Sequence, residues 1–331
     1  MTNEKRRHLI SVAELSVEEI LQIVSRGVSY AKGELRGSRP LDGLIIGLYF
    51  RKTSTRTRTA FSAAALRLGA GIISYGPQDL QENTGESIQD TARVLSGMLD
   101  GFVARTSGSR EEMDKLSSQE SMGVINAMAE DEHPTQALAD LTTIMQHFGR
   151  LSGLRMLYMG EGNNTAAALA LSFTRFPGNQ LVLCTPEGYG LSGKIMSKAK
   201  KYASAHGATV MEQHHMDQLP EEFDIIYTTR WETTGTIKKD SNWKELFLPF
   251  KVTDRIMDRY PAAIFMHDLP AHREEEVEAA VLDGNRSIAF RQAENKLYSA
   301  CAVLEWCLQP AAFGRTPGSC SFKCKQNHFN I

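Results

Sequence analysis

The chain has 331 residues, 42% hydrophobic and 23% charged, with a net charge of -2. That length allows two domains at the usual ~100–200 residues each. The near-neutral charge offers no overall basic field for nucleic acid, so any anion site must be local.

Five cysteines scattered through a long chain do not form a disulfide framework. Cys184, Cys301 and Cys307 sit in apolar surroundings and are expected to pack as small hydrophobes. Cys320, Cys324 and His328 offer only three candidate ligands where a structural zinc takes four, so no metal is expected in that polar tail. The tail is read as mobile or docked on a neighbour. The apolar runs fall far short of the ~20 residues that span a bilayer. Met1 to His8 is charged and polar, with no apolar core behind it. The expectation is a reduced, cytoplasmic protein without membrane attachment.

In chain order, Ser16 with Glu19 three later is a capping box, followed by helix-spaced Ile20, Leu21, Val24 and Val28. Gly33 to Asp42 is a turn-rich connection. Leu44 to Phe50 is an apolar run with the character of a buried parallel strand. It leads into Arg51-Lys52-Thr53-Ser54-Thr55-Arg56-Thr57-Arg58-Thr59 and then a helix over 60–68. Hydroxyls and guanidiniums thus alternate across a strand-to-helix turn, where free backbone N–H groups already favour an anion. Arginine forks and Ser/Thr hydroxyls suit phosphate oxygens, and a solvated basic helix cap is the bland alternative.

Ala70 to Tyr75 is a second strand, followed by a polar loop, 76–85, with Gln81, Glu82 and Asn83 at its tip. A helix is expected over 86–98. The strand Gly101 to Ala104 ends at Arg105, placed to point either into a crevice or to solvent. Val124 to Ala127 is another strand and runs into His133-Pro134-Thr135-Gln136, with proline suited to a first helical turn. His133 and Gln136 then share a helix face, where an imidazole can donate to a carbonyl oxygen and an amide can hold an amide-like group.

Gly149 to Gly153 is a break, taken as the domain boundary. The strand 155–160 leads to Glu161-Gly162-Asn163-Asn164 and an alanine-rich helix to Phe173. The turn lacks the spaced glycines of a dinucleotide fingerprint. Paired asparagines there suit an amino acid's ammonium and carboxylate, and serve equally well as plain turn residues. Further strands are expected over 180–185 and 224–228, with His214 and His215 exposed between them. The second of these strands ends in Thr229-Arg230-Trp231-Glu232. Ala263 to His267 ends in Asp268-Leu269-Pro270, before an acidic helix start at Glu274-Glu275-Glu276. Gln292-Ala293-Glu294-Asn295-Lys296 belongs to the approach to a final helix through Trp306.

These turns, in this order, resemble the aspartate/ornithine carbamoyltransferase family over about 10–308. The resemblance rests on Ser54 to Arg58, Gly85 to Leu95, Arg105, His133 to Asp140, Gly160 to Asn164, His267 to Pro270 and Gln292 to Asn295. It implies an α/β protein of two doubly wound parallel-sheet domains joined by interdomain helices. The carbamoyl-phosphate domain would comprise 1–148 plus 290–331, and the amino-acid domain 149–289. It also implies a homotrimer, no cofactor, and carbamoyl transfer from carbamoyl phosphate to an amine. Carried over residue by residue, Ser54, Thr55, Arg56 and Thr57 would bind the phosphate. Thr57, Arg105 and His133 would polarise the carbonyl oxygen, and Gln136 would hold the carbamoyl nitrogen. Gln81 would reach the site from a neighbouring subunit.

The acceptor residues mix two branches of that family. Asn163 and Asn164 match the ornithine branch, whereas Thr229, Arg230 and Glu232 resemble the aspartate branch. Asp268, next to Leu269, replaces the ornithine branch's cysteine, and Lys296 its arginine. One arginine with two additional acids, Glu232 and Asp268, favours an acceptor bearing a carboxylate and a second ammonium. The expected acceptor is a short diamino acid such as 2,3-diaminopropionate, with ornithine as runner-up and aspartate as a further alternative. The acids could instead pair with Arg230 or His272. Two rival readings remain. A kinase lacks its Gly-x-x-x-x-Gly-Lys-Ser/Thr loop, and a silent binding protein sits poorly with a complete set of donor-site residues.

Overall fold

The computed structural model describes residues 6–232, 238, 242–309 and 313. Two parallel sheets organise them. The first holds β1 (Ile45–Phe50), β2 (Gly71–Tyr75), β3 (Gly101–Arg105) and β4 (Gly123–Met128), in the order β2-β1-β3-β4. The second holds β5 (Arg155–Met159), β6 (Gln180–Cys184), β7 (Thr209–Gln213), β8 (Ile225–Thr228) and β9 (Ile264–His267), in the order β7-β6-β5-β8-β9. Every strand pair is parallel, as alternating strands and helices require. The expected fold class, two doubly wound α/β units, is therefore what forms.

Each sheet reverses its winding direction once: between β1 and β3 in the first, and between β5 and β8 in the second. At such a point the loops leaving the strands' carboxyl ends part in opposite directions and open a crevice. Central strands are covered on both faces. Ile46, Leu48, Tyr49 and Phe50 of β1 are all buried, which is why the strand is continuously apolar rather than alternating. Gly47 interrupts it because a Cβ there would stand 2.7 Å from the Phe102 ring.

Helices tie the two units together. The helix Val17–Ala31 begins with the expected Ser16–Glu19 capping box. The last helix, Ala289–Leu308, packs on that helix and on Thr55–Arg67 and Pro134–Phe148. Its Gln292 donates to Asp140 at 2.7 Å, and its Asn295 to Thr143 at 3.0 Å. Its buried Glu305 takes a two-pronged ion pair from Arg26 and a hydrogen bond from Tyr30. Arg175, in the second unit, donates to the carbonyls of Val12 and Leu15.

Several local expectations need correction. The helix after β1 starts at Thr55, so Thr55 to Thr59 form its first turns rather than a loop. Glu274 to Glu276 occupy a turn, and the following helix is the short Ala279–Leu282. The helices Arg110–Leu116 and Gly193–His206, and strand β7, were not anticipated. Cys184, Cys301 and Cys307 are buried free thiols, and His214 and His215 are exposed, both as expected. Cys320, Cys324 and His328 lie outside the described residues. No described helix is long and apolar enough to cross a membrane.

Candidate active site

A cavity of about 340 Å³ opens where the carboxyl ends of both sheets meet. From the first unit, the turn after β1 supplies Thr53 and Ser54, the first turn of the following helix supplies Thr55, Arg56 and Thr57, and the end of β3 supplies Arg105. The helix after β4 supplies His133 at its N-cap and Gln136 in its first turn. From the second unit come Asn163, Asn164 and Thr165 after β5, Thr229 and Arg230 after β8, and Asp268, Leu269 and Pro270 after β9. Lys296 reaches in from the last helix. Strand order and the packing of the last helix thus bring residues far apart in the chain to one pocket.

The basic run after β1 divides once folded. Arg51 turns away to Glu112 and the Tyr49 hydroxyl, and Arg58 lies over the Phe50 ring at 5.0 Å. Arg56 enters the cavity. There it forms no ion pair among the described residues, and desolvation lowers its pKa despite help from Asp268. Arg105 is directed inward by an irregularity in the β3–β4 register, where Ala104 faces Asn126 but Arg105 faces Met128. Its Nη1 donates to the Thr57 hydroxyl at 3.1 Å, while its Nε has no partner among the described residues. Burial pushes the Arg105 guanidinium down to about 10, with Arg56 and Arg230 pushing the same way and Asp268 opposing. A buried guanidinium with an unused donor is costly unless an anion completes it.

His133 is the N-cap residue of the Pro134–Phe148 helix and is buried. Its Nδ1 lies 3.3 Å from the Thr135 hydroxyl. Burial, then Arg105 and Lys296, hold its pKa well below the ordinary histidine value, so the ring is a neutral hydrogen-bond donor at pH 7. Gln136 is only 1% exposed. Its amide nitrogen donates to Asp140 at 2.8 Å, and its carbonyl accepts from the Lys296 ammonium. Asp140 also accepts from Gln292 and from the Tyr227 hydroxyl at 3.0 Å. That network joins both units and the last helix behind the pocket. Burial raises the Asp140 pKa and lowers that of Lys296.

On the opposite wall, the asparagines are partly committed to structure. Asn163 Oδ1 caps its helix, accepting from Thr165 and Ala166 backbone N–H groups at 3.0 and 3.1 Å. Asn164 donates across the cleft to the Ala129 carbonyl at 2.8 Å, and its own carbonyl accepts from the His133 N–H at 3.2 Å. Arg230 Nε donates to the Glu232 carbonyl at 2.6 Å. Asp268 accepts from the Thr165 hydroxyl at 3.0 Å and is the only acid among the described lining residues. The neighbouring His267 is fixed by its surroundings: its Nδ1 accepts from the Leu269 N–H at 2.8 Å, leaving Nε2 to donate to Glu276 at 3.2 Å.

Two expected site residues do not line this cavity, one of them expected to serve a neighbouring subunit instead. Glu232 is half-buried, does not line the cavity, and lies close enough to Lys244 to favour its ammonium. Gln81 is itself exposed, on the short helix Gln81–Thr84, outside this chain's own cavity. Sequence reasoning did not single out Met128 or Thr165, and it carried Thr53 and Pro270 only within longer runs, without a role of their own. Lys296 was noticed only as a departure from an arginine, whereas it lies in the cavity and touches Gln136.

What results is a cavity with Arg56, Arg105, Arg230 and Lys296 against one carboxylate, suited to a small multiply charged anion beside an amino acid. Residues 7–146 match the description "Aspartate/ornithine carbamoyltransferase, carbamoyl-P binding domain". Residues 152–307 match "Aspartate/ornithine carbamoyltransferase, Asp/Orn binding domain". A relative from Oceanobacillus iheyensis, named ornithine carbamoyltransferase, is 36% identical over 303 residues, covering 91% of this chain and 94% of the relative. One of the same name from Thermococcus kodakarensis is 39% identical over 267 residues, covering 80% and 84%. The solved ornithine carbamoyltransferase from Pyrococcus furiosus superposes with a TM-score of 0.86 at 34% identity, covering 93% of this chain and 99% of that one. The chain belongs to the aspartate/ornithine carbamoyltransferase family and is a carbamoyltransferase.

Proposed function

We propose that this carbamoyltransferase moves the carbamoyl group of carbamoyl phosphate to the side-chain amine of ornithine, releasing citrulline and phosphate. The observation that carries the donor half is the convergence of Arg56, Arg105, Thr57 and His133 on one cavity, with Arg105 short of a partner. Ser54, Thr55, Arg56 and Thr57 hold the phosphate at a helix N-terminus. Thr57, Arg105 and His133 donate to the carbonyl oxygen, and Gln136 holds the carbamoyl nitrogen. The uncharged amine attacks the carbonyl carbon, a C–N bond forms, and negative charge gathers on that oxygen where the donors already stand. The C–O bond to phosphate then breaks, and the departing phosphate takes the amine's proton.

On the acceptor side, Arg230 meets the α-carboxylate, Asn163 and Asn164 meet the amino-acid end, and Asp268 meets an ammonium. Thr229 and Leu269 complete the wall. The names of the relatives support ornithine. The expectation of 2,3-diaminopropionate is corrected on that ground and on a physical one: it leaned on two acids, and Glu232 lies off the cavity lining. Aspartate is disfavoured because its second carboxylate would meet Asp268.

A homotrimer, with Gln81 completing a neighbour's site, is part of the same reading. The exposed position of Gln81 outside its own chain's cavity supports it, and Val94 and Met98, 52% and 70% exposed, leave apolar surface that a partner would cover. The test is a panel of ornithine, 2,3-diaminopropionate and aspartate with carbamoyl phosphate, following phosphate release and the ureido product. Ornithine should be turned over with the highest kcat/KM; turnover of aspartate without any diamino acid would overturn the acceptor assignment.

A further inference from the structure

Lys238 does not line the cavity, yet its side chain is only 4% exposed. Its ammonium donates to the Glu161 carboxylate. It also lies 4.6 Å from the centre of the Tyr189 ring, 4.7 Å from Phe247 and 5.2 Å from Trp243. Several rings and a carboxylate around one cation make the kind of cage that binds alkylammonium ligands. Here the occupant is a lysine of the chain itself.

The walls of this cage are tied to both acceptor-side turns. Glu161 precedes Asn163 by two positions, and the Gly162 N–H donates to the Tyr189 carbonyl at 2.8 Å. Contact there is so close that a Cβ on Gly162 would meet the Gly190 backbone at 2.4 Å. Trp231, adjacent to Arg230, lies 5.4 Å from the Phe247 ring, and Phe247 lies edge-on to Tyr189 at 4.9 Å. A Cβ on Gly160 would stand 3.4 Å from the Trp231 ring. The turn after β5 and the turn after β8 therefore share one aromatic cluster with Lys238 at its centre.

We propose that Lys238 is a positioning residue for the acceptor half of the site: its ammonium fills the cage and holds the turn bearing Asn163 and Asn164 against the turn bearing Thr229 and Arg230. Emptying the cage leaves the Glu161 carboxylate without this cation and the rings around a void. The kinetic consequence rests on the proposed ornithine acceptor; the structural one does not.

The experiment is hydrogen exchange on the full chain, comparing wild type with Lys238→Met and Lys238→Arg, alongside steady-state kinetics. In Lys238→Met, exchange in 160–166 and 229–232 should accelerate about tenfold or more. The segment 133–137 should keep its protection, and Lys238→Arg should stay close to wild type. With carbamoyl phosphate and ornithine, the acceptor KM should rise about tenfold while the carbamoyl phosphate KM holds. In Lys238→Ala, millimolar n-butylammonium should restore protection, and n-butanol should not. Unchanged exchange in Lys238→Met, or equal loosening around 133–137, would overturn the inference. A wild type that does not turn over ornithine would sink the acceptor reading and leave the exchange result to decide the cage. An active enzyme whose Lys238→Met variant keeps its acceptor KM would sink the cage alone.

Discussion

Arg105 and Thr57 come from different strand–helix units and meet at 3.1 Å, with the guanidinium Nη1 donating to the hydroxyl oxygen. Because Thr57 accepts from Arg105, its own hydroxyl proton is free to point at a ligand, and both groups present donors to the same place. Thr57→Val removes that donor with little change in volume. Its kcat should fall by about 10²–10³, the usual loss for one oxyanion donor. Thr57→Ser should retain most activity. Steady-state rates for the pair decide it; a Thr57→Val enzyme near wild-type kcat would remove the hydroxyl from the chemistry.

Arg56 reaches the cavity without an ion pair among the described residues. Arg56→Ala should abolish turnover and carbamoyl phosphate binding while leaving the assembly intact. Calorimetry with carbamoyl phosphate and light scattering measure the two separately. Collapse of the assembly would mean that the residue's role is mainly structural.

If Gln81 serves a neighbouring subunit, sites can be rebuilt from two defective chains. Gln81→Ala and Arg105→Ala, each nearly inactive alone, should regain a substantial part of wild-type activity when unfolded and refolded together. A mixture no more active than its components would place Gln81 outside the site.

Glu132 is buried, accepting from the Ser11 hydroxyl and from the Val12 N–H at 2.7 Å. Burial pushes its pKa up to about 7, with those hydrogen bonds opposing. The folded value lies above the ordinary carboxylate value, so its stabilising contribution is fullest at low pH and is lost as pH rises through 7. Glu132→Gln keeps an acceptor for Val12 and never ionises. Its melting temperature relative to wild type should climb between pH 6 and pH 8. A difference that stays flat over that window would show that Glu132 is not protonated in the fold.

Much of the site was legible because each functional residue sits where a strand ends, and strand ends are marked by punctuation in the chain. The run Thr53 to Thr57 after β1, Arg105 after β3 and His133 before Pro134 all follow apolar runs, and all line the cavity. Glu232 was misplaced because four residues of chain beyond a strand do not fix direction: the Arg230 side chain bonds the Glu232 carbonyl, and Glu232 does not line the cavity. Lys296 needed the folded packing of the last helix against Gln136, a contact across 160 positions with no local signal. The Lys238 cage is likewise assembled from Glu161, Tyr189, Trp243 and Phe247, none of which forms a recognisable pattern in sequence. The short helix Arg110–Leu116 was missed because few residues carry its periodicity.

The central claim is that the two units offer one continuous site, donor on one wall and ornithine on the other. An ornithine joined through its side-chain nitrogen to a phosphonoacetyl group spans both walls in a single molecule. Calorimetric titration should show it binding at least about 10²-fold more tightly than phosphonoacetate or ornithine alone, since one association replaces two. Binding no tighter than phosphonoacetate would contradict the account, because the two halves would then not belong to one site.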